Sequence, residues 1–203
     1  MGYSLILYRC PWTKLRDAVT AAAGHAAPNA TIQQARRDFE DALNDNDEQL
    51  PAGVTVQSAF ETAAGVLDRC WSAHDVGRPP EEVDLLPTLA MFALIRQTGR
   101  YIASLEHNSN AGTLFRDQFI RNELVAKLAF PKAADLIGHG AFGSMRTEYP
   151  FWGGLELGDV IQLIPLLSTT QNSNVDVDGW LSELKNALKE AEWRQEDVVT
   201  LYL

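Results

Sequence analysis

The chain has 203 residues, 46% of them hydrophobic and 22% charged, with a formal net charge of −10. That length suits one ordinary core, so a single domain over residues 1–203 is expected, and the composition argues against wholesale disorder. Twelve acids face four bases between residues 31 and 84, a net −8 that leaves −2 for the rest; so concentrated an acidic field argues against nucleic acid and anionic membrane as partners and favours a basic protein, with an ordinary solvated surface tuned for solubility as the competing reading.

No apolar run is long enough to span a bilayer; Leu163 to Leu167 is typical. Residues 1–9 carry neither the basic nor the long apolar region of a secretory signal. Cys10 and Cys70 are too few for a disulfide framework and too far apart for a zinc-ligand pair. A reducing cytoplasm is the expected compartment.

In chain order, Tyr3-Ser4-Leu5-Ile6-Leu7-Tyr8 is dense in β-formers and predicts a strand that stops at Pro11. A helix over 13–23 follows, with Leu15, Val19 and Ala22 on one face. Thr31-Ile32-Gln33-Gln34 matches a capping box and opens a helix that turns Ile32, Ala35, Phe39 and Ala42 or Leu43 inward. Residues 44–53 form the clearest loop. A second capping box, Ser58-Ala59-Phe60-Glu61, opens a helix carrying Phe60, Ala64, Leu67 and Trp71, which ends at 77–80. Helices are then predicted over 88–105 and 113–128, with a short helical turn at 131–137. The Gly- and aromatic-rich stretch 138–154 is irregular. An apolar helix over 157–167 should be kinked or ended by Pro165, and Asp176 or Asp178 should cap a helix over 180–192. Residues 198–203 predict a closing strand. A lone strand leaves its backbone groups unsatisfied, so the two terminal strands should pair or join one small sheet. The expected fold is α+β and predominantly α-helical, with about seven or eight helices around that sheet.

Several chemical motifs fail on context. Gly138-His139-Gly140-Ala141-Phe142-Gly143 fits a phosphate-cradling glycine pattern, yet no strand precedes it and no helix follows directly. Asn174-Val175-Asp176-Val177-Asp178-Gly179 imitates a calcium loop, but Lys185 stands where a bidentate Glu is required. His25, His74, His107 and His139 show no metal-ligand spacing. No metal and no cofactor are expected.

Leu7-Tyr8-Arg9-Cys10-Pro11-Trp12, a strand running through Cys-Pro-aromatic into a helix, is similar to the thiol site of glutaredoxin-like and some glutathione-transferase proteins. The resemblance implies a Cys10 thiol made acidic by the helix N-terminus. Thr13 replaces the second Cys of the redox motif, and residues 25–50 read as helix where a strand belongs. The Tyr3 to Tyr8 strand, the following Leu15-Arg16-Asp17-Ala18-Val19 helix, the Pro150-Phe151-Trp152-Gly153-Gly154-Leu155 segment and the hydrophobic closing strand together resemble a bacterial family of small domains of unknown function. That resemblance covers about a quarter of the chain, leaves 25–130 uncovered and carries no catalytic residue with it.

The leading reading is a non-enzymatic, bacterial cytoplasmic protein, immunity- or antitoxin-like, that presents an acidic face to a basic protein through Asp41, Asp45, Asp47 and Glu48. One alternative is a thiol-dependent transferase or reductase using Cys10. Another is a small-molecule binder, or an enzyme with His139 as its catalytic group, built on 138–154, where Arg146, Tyr149 and Trp152 would contact the ligand. Plain core packing by Phe142, Phe151 and Trp152 competes with this last reading.

Overall fold

Side-chain alternation along the first strand decides which layers can form. A computed structural model describes residues 2–24, 29–45, 50–74, 81–82, 85–108, 124, 143–145, 151–169 and 175–202. In β1 (Gly2–Arg9), Leu5 and Leu7 enter one hydrophobic cluster and Tyr8 enters another, as a pleat requires. β6 (Val198–Tyr202) divides likewise, Val198 and Tyr202 joining Leu5 while Val199 and Leu201 join Tyr8. All five β6 residues are buried, which is why Val-Val-Thr-Leu-Tyr reads as a nearly unbroken apolar run.

The two strands nearest the ends of the sequence pair directly, antiparallel, from Leu5↔Tyr202 to Arg9↔Val198. They occupy the middle of a six-stranded sheet completed by β2 (Glu81–Glu82), β3 (Arg100–Asn108), β4 (Gly143–Met145) and β5 (Phe151–Leu155). The order is β2-β4-β5-β6-β1-β3, with every neighbouring pair antiparallel except β2 and β4. Helices cover both faces. On one lie α1 (Trp12–Ala23), α2 (Ala30–Asp45), α3 (Val56–His74) and α4 (Leu85–Thr98), whose buried residues pack with Tyr8, Trp152, Val199 and Leu201. On the other lie α5 (Leu157–Thr169) and α6 (Val175–Arg194), around Leu5, Leu7, Leu105 and Tyr202. No described helix is long and apolar enough to cross a membrane.

The α+β class and the helical majority therefore hold, with six helices among the described residues in place of seven or eight. Of the helices expected over 113–128 and 131–137, only Leu124 falls among the described residues. Other boundaries need correction. The single helix expected over 88–105 is α4 followed by β3. Gly99 makes the corner: a Cβ there would sit 2.9 Å from the Ile95 carbonyl and 3.0 Å from Tyr8 Cβ. α4 is buried on nearly every side from Pro87 to Ile95, so it shows no amphipathic period whose loss could mark its end. Residues 143–145 and 151–155 form strands where an irregular stretch was expected. α5 continues through Pro165 to Thr169, and α6 begins at Val175, which puts Asp176 and Asp178 inside the helix instead of at its cap.

Both predicted capping boxes sit too late in the sequence. The Ile32 amide donates to Asn29 Oδ1 at 3.0 Å, making Asn29 the cap of α2. Thr55 and Ser58 cap α3 reciprocally: the Ser58 amide donates to Thr55 Oγ1 at 3.1 Å and the Thr55 amide to Ser58 Oγ at 2.8 Å. Among the helices, Phe39 of α2 meets Phe60 of α3 edge-on at 5.5 Å. Arg36 of α2 donates to the Ala22 carbonyl at 3.0 Å and to Gln57 of α3, and Gln57 donates to the Ala23 carbonyl, so side chains from two helices close the end of α1.

Gly154 has a specific steric role. It lies opposite Val199 on the four-helix side, and a Cβ there would overlap the Trp12 indole. Gly154→Ala is expected to destabilise by about 1–3 kcal/mol, as overpacking does. Gly179→Ala, on the exposed side of α6 with open space around it, is expected to stabilise by about 0.5–1 kcal/mol. Urea midpoints of the two variants check this opposition, and a shift of the same sign in both would contradict it.

Candidate functional site

The helix α1 begins without a cap of its own. Its N-cap residue is Pro11, which offers no side-chain acceptor. Asp197, immediately before β6, supplies one from across the chain: the Trp12 amide donates to its Oδ2 at 2.9 Å. The other oxygen, Oδ1, accepts from the Leu157 amide at 2.9 Å, at the first residue of α5. One carboxylate thus sits at the positive ends of two helices belonging to opposite layers. The Cys10 amide donates to the Asp197 carbonyl at 3.0 Å, so the backbone is fastened at the same point.

Cys10 is fully buried. Its thiol faces Thr98 Oγ1 at 3.7 Å, while the Thr98 hydroxyl donates to the Leu94 carbonyl at 2.7 Å. Burial pushes the thiol above its ordinary 9.0; the contacts with Thr98 and Lys14 oppose the rise, and the charges of Asp197 and Glu196 add to it. A reactive thiolate at a helix N-terminus needs the helix dipole for itself, and here Asp197 holds that position.

Beside this junction Arg9, 8% exposed, turns to the α6 side and meets Glu196 at 3.1 Å and Glu190 at 3.4 Å. The two carboxylates balance a guanidinium that burial would otherwise penalise severely. Lys14 donates its ammonium to the Thr98 carbonyl at the end of α4. None of Thr98, Glu196 and Asp197 stands out in the sequence. Pro11 was the available signal, since a helix starting behind a proline needs its acceptor from elsewhere.

The acidic segment divides into inward and outward carboxylates. Asp38 is half-buried and accepts from Gln34 and from Gln97 of α4, both at 2.7 Å, so it ties α2 to α4. Gln33, Arg37, Glu40, Asp41 and Asn44, spaced three and four apart, form the exposed stripe of α2. Asp41 lies at the centre of that stripe, and Asp45 is the last residue of the helix. Asp47 and Glu48 lie outside the described residues, as do His139, Arg146 and Tyr149. Trp152 is fully buried in β5 opposite Leu201, in the core between sheet and helices. Among the described residues, no group of three His, Cys, Asp or Glu side chains is placed to hold a metal ion.

No protein-family model matches the chain, and neither a curated protein nor a solved structure was found to resemble it.

The raised Cys10 pKa has a definite sign. The unfolded thiol loses its proton near 9.0 and the folded one above that, so its contribution to stability is complete below pH 9.0 and is lost as pH rises through the folded value. In a Cys70→Ser background, iodoacetamide should label Cys10 far more slowly in the folded protein than in urea. Replacing Cys10 by Ala should also make the alkaline loss of stability shallower. Rapid labelling of the folded protein at neutral pH would contradict the burial argument.

Proposed function

We propose that this protein is a non-enzymatic binding protein of a bacterial cytoplasm, immunity- or antitoxin-like, that engages a basic protein through the outer face of α2 and the acidic residues that follow it. The observation that carries the reading is the division of carboxylates on α2. Asp38 is consumed in tying two helices together, whereas Glu40 and Asp41 project into solvent with no cationic partner among the described residues. Such groups add little to fold stability. They are free to steer and orient an oppositely charged partner. Asp45, Asp47 and Glu48 extend the same charge along the sequence, within a segment of net −8.

A second strand of support is chemical. The thiol reading asks Cys10 to be accessible and acidic, and its burial beside Thr98 works against both requirements. The packing of Trp152 beneath four helices likewise favours a core role over contact with a ligand.

Affinity purification of the tagged protein, eluted with a salt gradient, tests the proposal. The expected partner is basic, stoichiometric and released by moderate salt. Reversing Glu40 and Asp41 together to Lys should weaken that complex about tenfold, or ~1.4 kcal/mol, without lowering the melting temperature. A partner whose binding ignores both salt and the reversal would refute an acidic interface on α2.

A further inference from the structure

The exposed acids of α2 each follow an arginine by one helical turn. Arg36 stands four residues before Glu40 and Arg37 four before Asp41, a spacing at which opposite charges on a helix can meet. Neither pair forms; the ion pairs among the described residues are those of Arg9. For Arg36 the reason is structural, because its guanidinium is taken up by the Ala22 carbonyl and by Gln57 at the end of α1. Arg37 is exposed and closes no helix end, so its absence from Asp41 needs another cause.

A chain of hydrogen bonds leading out from α4 decides where Arg37 goes. Gln97 of that helix donates to Asp38 Oδ2 at 2.7 Å, and Asp38 Oδ1 accepts from Gln34 Nε2 at 2.7 Å. With its amide nitrogen on the carboxylate, Gln34 turns its Oε1 towards Arg37, which donates to it from Nη2 at 2.6 Å and from Nε at 3.2 Å. The opposite amide orientation would set oxygen against carboxylate and NH2 against guanidinium, so Asp38 fixes which way Gln34 faces. Helical side chains lean toward the N-terminus, which directs Arg37 to Gln34 and away from Asp41. Base before acid is also the weaker order for an ion pair at this spacing.

We infer that Gln34 is a positioning residue of the acidic interface: it draws Arg37 back along α2, so that Asp41 stays open to an arginine or lysine side chain of the partner. This rests on the reading of α2 as the binding face. An internal Arg37–Asp41 pair would have to break before a partner's cation could take its place, and the Gln34 bonds remove that competitor in advance. The same chain excludes Asp38 from the interface, since both its oxygens already accept hydrogen bonds within the fold.

Arginine side-chain NMR and peptide binding test the placement and its consequence separately. Gln34→Ala is the variant to use, because alanine keeps the helix and Asp38 retains its bond to Gln97. In the unaltered protein, Asp41→Asn should leave the Arg37 Nε resonance in place, whereas in the Gln34→Ala background the same change should move it. Equal movement in both backgrounds, or none in either, would overturn the positioning role. In fluorescence anisotropy with a labelled hexaarginine peptide, Gln34→Ala should weaken binding about twofold, the size of one exposed helical ion pair. Adding Arg37→Gln to Gln34→Ala should restore it, and adding Arg16→Gln, the same charge change on α1, should not. Binding that stays weak with Arg37→Gln, or recovers equally with Arg16→Gln, would overturn the proposal. Hexaarginine binding that ignores Asp41→Asn, with the Arg37 resonances as expected, would refute the binding face and the role built on it, while the placement of Arg37 would stand.

Discussion

The carboxylate of Asp197 is the point on which the two layers of helices agree. It accepts from the first amide of α1 and from the first amide of α5, each at 2.9 Å, and these helices lie on opposite faces of the sheet. Its residue also accepts from the Cys10 amide through the backbone, and Glu196 beside it holds the buried Arg9. Residues 9 to 12, leaving β1, are therefore locked to residues 196 and 197, entering β6. The lock matters because the β1–β6 pair is buried on both faces, where hydrophobic side chains alone would tolerate a slip poorly but would not forbid it. A slip of one residue would exchange Leu5 and Leu7 with Ile6 and Tyr8 across the sheet. With the Asp197 bonds formed, only one register also satisfies both helix ends. Each cap contributes about 1 kcal/mol, and both are absent from any other pairing.

Seen this way, what the sequence discloses and what it hides follow from how local each signal is. The terminal strands are legible because β-formers crowd Tyr3 to Tyr8 and Val198 to Tyr202, and no backbone can leave such segments unpaired. Amphipathic helices such as α2 and α3 are legible from Ile32, Ala35, Phe39 and from Phe60, Leu67. Their true caps escape because Asn29 lacks a Glu or Gln partner three residues on, and because Thr55 uses the hydroxyl of Ser58 for the reciprocal bond. The boundary between α4 and β3 escapes for a different reason: a helix buried all round carries no period to break. Asp197 could not be found by pattern at all, since it lies 185 positions from the amide it caps.

The candidate sites inherit the same division. Cys10 looks like a thiol site because strand, Cys-Pro and helix are local features, whereas Thr98 and Asp197, which bury it and take its helix end, are distant in sequence. Trp152 looks like a ligand contact within an aromatic-rich stretch, and the pairing of β5 with β6 brings it into the core. Asp38 and Asp41, three apart on one helix, carry equal weight in a charge count. Packing against α4 separates them into a structural carboxylate and an exposed one. Glu40 and Asp41 remain on the exposed side of α2, beyond the packing that takes up Asp38.

Amide hydrogen exchange of Asp197→Ala and Asp197→Asn beside the unchanged protein tests most directly whether one carboxylate joins the two layers. Loss of protection at both Trp12 and Leu157 in the Ala variant, spreading to the β1–β6 pair, and loss at one of the two in the Asn variant, which keeps a single acceptor oxygen, is the predicted pattern. Undiminished protection at either amide in the Ala variant would show that the helix ends are secured independently, and the account of how this sheet keeps its register would be wrong.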